Sequence, residues 1–105
     1  MKVLWVCCNE TIAEDVMECL DSSGLKGYAV WKDMLQKDNV GDKTHWGDGV
    51  FPGKNWAFMT CGDEEKIGCA IKRLEGLRQE PYVLEAGLEA YIWEAESVFE
   101  TKVRG

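Results

Sequence analysis

The sequence predicts an α+β fold in which two helices lie on one face of a four-stranded antiparallel sheet. Two observations carry this. Short runs rich in β-branched and aromatic residues alternate with longer runs of helical period, in the order β-α-β-β-α-β. The helical runs are apolar along one stripe only, whereas the strand runs are apolar on both sides. With 105 residues, the chain is read as one domain, 1–105.

Residues 2–8 form the first strand by length and composition. Thr11 and Glu14 have the spacing of a capping box, so a helix is expected to start there, with Ile12, Val16, Cys19 and Leu20 on its inner side. Gly24 suits a left-handed position at its C-terminus. Residues 27–36 read as a second strand and 55–61 as a third. Asp63 is the expected cap of a second helix, with Glu64 and Glu65 in its first turn. Its buried stripe is Ile67, Ala70, Ile71, Leu74 and Leu77, and Pro81 ends or follows it. Residues 87–93 read as the fourth strand after a turn, and 94–105 as a last short strand or helix. The order is that of the ferredoxin-like arrangement.

The strand faces have a consequence. Val3, Trp5 and Cys7 oppose Leu4, Val6 and Cys8; Trp56, Phe58 and Thr60 oppose Ala57, Met59 and Cys61; Leu88, Ala90 and Ile92 oppose Glu89, Tyr91 and Trp93. Two helices cover one of these faces. The other is expected to be covered by further copies of the chain, or by the C-terminal twelve residues folding back with Val98, Phe99 and Val103.

Composition narrows the function classes. A net charge of -7 argues against nucleic-acid binding. No run is long enough to span a bilayer, and MKVLWVCC followed by Asn9-Glu10 is too short for a secretory leader, so a cytoplasmic protein is expected. Five cysteines, two of them adjacent, read as buried, inert thiols rather than a disulfide framework. No nucleophile motif, dinucleotide fingerprint or phosphate-loop pattern is present, so no enzymatic activity is expected.

The segment most suited to a function is the long connection 38–55, DNVGDKTHWGDGVFPGKN, with four glycines and the only histidine. Lys43 and Lys54 bracket it and can reach a phosphate or carboxylate as point charges; Lys54, after the Pro52-Gly53 turn, is the best anion candidate. His45 can bind an anion, sense pH or contribute to a metal site with Asp42 and Asp48, but one histidine does not build a zinc site. Trp46 has no local partner and suits a neighbouring subunit, a ligand or a protein partner, while Trp56 reads as core.

The chain resembles the PII-like signalling proteins. The resemblance rests on the long loop between strands 2 and 3 and on Gly41, Asp42, Lys43, Thr44, His45 and Trp46 followed by Pro52, Gly53, Lys54 and Asn55. It implies a PII-like homotrimer with the open sheet faces turned inward. It also implies a ligand cleft between subunits at the loop base, with Lys43, His45, Trp46, Gly53 and Lys54 as binding residues and an adenine nucleotide as cofactor. A protein partner would dock through loop 38–55. The sequence departs from the nitrogen-control members in two places: the loop has no tyrosine, and segment 79–87 has one glycine, two acids and no lysine. Two other readings are a metal-responsive protein similar to CutA and a purely structural trimer.

Overall fold

The computed structural model describes residues 1–34 and 54–100. Its elements in chain order are β1 (Lys2–Asn9), α1 (Ala13–Ser22), β2 (Ala29–Met34), β3 (Asn55–Gly62), α2 (Glu64–Arg78), α3 (Pro81–Ala86) and β4 (Leu88–Glu94). The strands form one sheet in the order β2-β3-β1-β4, and every neighbouring pair is antiparallel. This is the expected ferredoxin-like topology.

The inner face is the one the alternation predicts. Leu4, Val6 and Cys8 of β1 meet Phe58 of β3 and the stripes of both long helices: Ile12, Ala13, Val16 and Leu20 on one side, Ile67, Ala70 and Leu74 on the other. Phe58 is fully buried and stands edge-on to Tyr28 at 6.0 Å. Ile71 and Leu77 pack at the margin of this core rather than inside it.

The helix ends are set by local hydrogen bonds, and one differs from expectation. Asp63 caps α2 as predicted, accepting from the Lys66 amide at 2.8 Å. Ahead of α1, however, Asn9 is the capping residue, not Thr11. Its Oδ1 accepts from the Thr11 amide at 3.0 Å and from Thr11 Oγ1 at 2.8 Å. Residues Glu10–Ile12 form a 3-10 turn, and α1 starts at Ala13. The strand runs to Asn9, so the first free side-chain acceptor is there, and the Thr11 hydroxyl is consumed by it. Gly24 takes φ 85° after α1, as its position predicted.

Two further elements depart from the sequence reading. The expected turn after α2 is a short helix, α3, with Pro81 in its first turn and Val83 buried. Regular pairing of the second strand covers Ala29–Met34 rather than 27–36; residues 35 and 36 lie outside the described residues. A register shift falls between Trp31 and Met34, so Lys32 and Asp33 together oppose Trp56, and Asp33 takes φ 55°.

The outer face carries Ala29, Trp31, Val3, Trp5, Cys7, Ala57, Met59, Tyr91 and Trp93. The Trp5 and Trp31 rings lie 5.3 Å apart, tilted by 43°. Trp31, Tyr91 and Trp93 remain 43%, 57% and 45% exposed. The C-terminal segment does not roof this face as far as Glu100: Val98 and Phe99 are 81% and 94% exposed, and residues 95–100 form no helix or strand.

The cysteines divide into two groups. Burial pushes the thiols of Cys7 and Cys8 up to about 11 and about 12, as inert core thiols require. Cys19 and Cys69 are only half-buried, and Cys61 is exposed because its side chain lies on the outer face opposite Val3. The expectation of five buried cysteines therefore holds for Cys7 and Cys8, is met only in part by Cys19 and Cys69, and fails for Cys61. At Cys69, hydrogen bonding to Ser23 and Arg73 lowers the thiol from its ordinary value.

Ion pairs join the start of β1 to the end of β4, where Lys2 and Glu94 face each other across the ladder. Lys2 Nζ is 2.8 Å from Glu94 Oε1, and the N-terminal ammonium is 3.4 Å from Oε2. The Lys2 hydrogen bond holds the Glu94 carboxyl below its ordinary range. A depressed carboxylate contributes stability above its unfolded value, and that contribution is lost as pH falls through the folded value. Glu94→Gln is therefore expected to lower the urea midpoint slightly at pH 7 at low salt, and the gap is expected to shrink as acid protonates Glu94. A gap of constant size from pH 7 down through the acid range would show that the pair contributes nothing through charge.

Candidate functional site at the loop base

The long connection leaves from Met34 and re-enters at Asn55, and these two residues are paired across β2 and β3. The sheet therefore pins both ends of the loop side by side. Asn55 is itself buried and pairs with Asn9 at the end of β1. From there the network spreads. The Glu10 amide donates to the Lys54 carbonyl at 2.7 Å, and the Asn9 amide to the Gly87 carbonyl at 3.4 Å. Gly87, at φ 94°, closes α3 and opens β4. One corner of the molecule thus collects the loop ends, the β1–α1 turn and the α3–β4 junction.

Of the five binding residues expected from sequence, Lys54 falls within the described residues; Lys43, His45, Trp46 and Gly53 lie outside them. Lys54 is exposed at this corner, and its Nζ is 4.0 Å from Asp33 Oδ2 on β2. Both side chains are more than half exposed. A pair of this kind contributes about 0–1 kcal/mol, so an incoming anion competes with it easily.

Two residues after Lys54, near the start of β3, stands Trp56. Its ring packs against Phe58 at 6.3 Å and borders the core, as expected, but is not sealed within it. The Lys32 ammonium lies 4.9 Å from the ring centroid, a cation–π contact made possible by the register shift. The indole Nε1 is buried and has no hydrogen-bond partner among the described residues. Such a donor costs about 1–3 kcal/mol when left unmade. Sequence reasoning missed both features. The order of residues shows that Trp56 alternates inward, but the Lys32 contact needs the extra residue at Asp33, and the orphaned nitrogen needs the packing of the ring.

Segment 79–87 is poor in phosphate-cradling groups by sequence, and its backbone is taken up by α3. The turn bonds there run from Val83 and Leu84 to Glu80 and from Gly87 to Val83. Among the described residues, no cluster of three or more His, Cys, Asp or Glu could hold a metal ion, and no helix is long and apolar enough to cross a membrane. A separate recess of about 310 Å³ lies between α2 and β4, walled by Leu4, Ile71, Leu74 and Ile92 with Glu75 and Arg78 among its polar groups.

With this geometry in view, the chain was compared with known proteins. No protein-family model matches the sequence, and no curated protein matches it. Solved structures do. The chain is similar to CPII, a nitrogen regulatory PII-like protein from Thiomonas intermedia K12 bound to ADP, AMP and bicarbonate. The TM-score is 0.68 and the identity 15%, over 95% of this chain and 94% of that one. The chain has the PII-like fold. CPII bound to ADP and bicarbonate matches with a TM-score of 0.65 at 17% identity, over 88% of this chain and 82% of that one. A candidate PII-like signalling protein from Thermus thermophilus matches with a TM-score of 0.54 at 18% identity, again over 88% and 82%. The resemblance drawn from the loop residues and the fold found by structure comparison thus agree on the PII-like arrangement.

Proposed function

We propose that this chain is a PII-like regulatory protein that assembles as a homotrimer. It takes a small anionic ligand, an adenine nucleotide first among them, in a cleft between subunits at the loop base. Loop 38–55 then presents a ligand-dependent surface to a protein partner. The observation that carries this reading is the corner where Met34, Asn55, Asn9 and Gly87 bring the two loop ends against the α3–β4 junction. A ligand there would touch the segment that changes and the scaffold that does not. Two facts support it. The outer sheet face exposes three large aromatic side chains that a second and third copy would cover. CPII from Thiomonas, which has the same fold, was determined with ADP and bicarbonate and with ADP, AMP and bicarbonate.

The test pairs native mass spectrometry with calorimetry. Three chains per particle are expected, together with saturable heat on adding ADP. A monomer at micromolar concentration that gives no heat with ADP, AMP or bicarbonate would overturn the proposal.

A further inference from the structure

We infer that the C-terminal segment of one copy, through Val98 and Phe99, seats in the recess between α2 and β4 of a second copy. The inference shares with the proposed assembly only the presence of further copies; the long loop and its ligand play no part in it. The recess follows from where the helices lie. α2 packs over β1 and β3, so the helix-side face of β4, at the margin of the sheet, is left without a roof. Ala90 and Ile92 are exposed there, although pairing turns them to the same side as the buried Val6 and Leu4. Ile71 and Leu74 form the opposite wall, and the space between is about 310 Å³.

The same chain carries a segment that fits. Val98 and Phe99 project almost wholly into solvent. Aromatic side chains are enriched where protein surfaces meet, and a concave apolar surface is what such a ring can fill. Geometry assigns the recess to a different copy. The Ala95 amide donates to the Met1 carbonyl at 3.0 Å, and residues 95–100 then border the start of β2 and the end of β3. The segment thus leaves β4 across the sheet toward β2, away from its own recess. The two edges of the sheet lie three strand spacings apart, about 14 Å. A projecting group at one edge and a recess at the other are the two halves of a head-to-tail contact, which closes a ring when its rotation returns to the first copy.

Charge favours the same occupant. Glu96 and Glu100 flank the apolar pair. Arg78 stands exposed on the rim of the recess, and no carboxylate pairs with it among the described residues. Glu75 is the acid of that rim, so a glutamate of the incoming segment is drawn to the Arg78 end.

The experiment places the photoreactive residue p-benzoylphenylalanine at position 99 of the full chain, and in a second variant at position 98. Irradiation is expected to give covalent dimers on a denaturing gel, with the crosslinked peptides mapping to 71–78 or 88–92 of the other chain. Arg78→Glu, which reverses the charge on the rim, is expected to lower the dimer yield about fivefold. Crosslinks confined to one chain, directed to another surface, absent at both positions or indifferent to Arg78→Glu overturn the inference. Native mass spectrometry of the same samples keeps the two readings apart. Three chains per particle without recess crosslinks leave the proposed homotrimer standing and remove this contact. Recess crosslinks in a particle of another size keep the contact and remove the homotrimer.

Discussion

Replacing Trp31 by glutamate is expected to leave single folded chains in place of the proposed homotrimer. Trp31 lies on the outer face, in tilted contact with Trp5, and is 43% exposed in one chain. The isolated fold therefore tolerates a polar group there. In a trimer with these faces turned inward, the same carboxylate would be desolvated without a partner. An unpaired buried charge costs several kcal/mol, and roughly 3 kcal/mol already weakens an interface by more than a hundredfold. Native mass spectrometry should show a monomer, and far-UV circular dichroism should remain that of the folded chain. Trp31→Phe, which keeps an apolar ring, should remain assembled. If the glutamate variant stays trimeric, the outer face is not the contact surface, and the aromatic groups upon it need another explanation.

The largest expected loss of stability comes from the opposite face. Phe58 is fully buried at the middle of β3, paired with Val6 on one side and Val30 on the other. Tyr28 and Trp56 hold it from two directions. Phe58→Ala is expected to cost about 3–5 kcal/mol, because the removed ring leaves a cavity between a sheet and two helices that cannot both move inward. Domains of this size are typically stable by about 5–15 kcal/mol, so the loss is a large share of the total. With a slope of about 1–3 kcal/mol per molar urea, the midpoint should fall by at least 1 M. A smaller fall would mean that the core collapses around the gap. Assembly adds stability by mass action, so the comparison belongs at one fixed chain concentration.

The sheet and long helices were legible in the sequence because each is announced by many residues. In β1, six consecutive apolar side chains from Val3 to Cys8 leave no helical alternative of that length. In α2, Ile67, Ala70 and Leu74 repeat at helical spacing behind an Asp63 cap that behaves as predicted. Elements fixed by one or two groups were harder. The choice between Asn9 and Thr11 as cap turns on where β1 stops, and both residues have side-chain acceptors. The α3 turn is six residues long with one buried side chain, Val83, so it has too little periodicity to register. The candidate site was legible only in part. Lys54 could be singled out from its place after Pro52-Gly53, but Lys32 carries no signal in sequence. Its role depends on a change of pairing that shifts one strand against its neighbour.

That same irregularity bears on a hazard every open sheet faces. β2 lies at the margin of the sheet, with backbone donors and acceptors free to template another chain. Asp33, held at φ 55°, interrupts the ladder after Trp31 and increases the local twist. A flat strand of six residues could keep adding copies without limit; a kinked one with a charged side chain at the kink offers only a short, curved template. If the aromatic face joins subunits as proposed, this kinked margin would still oppose their growth into fibres.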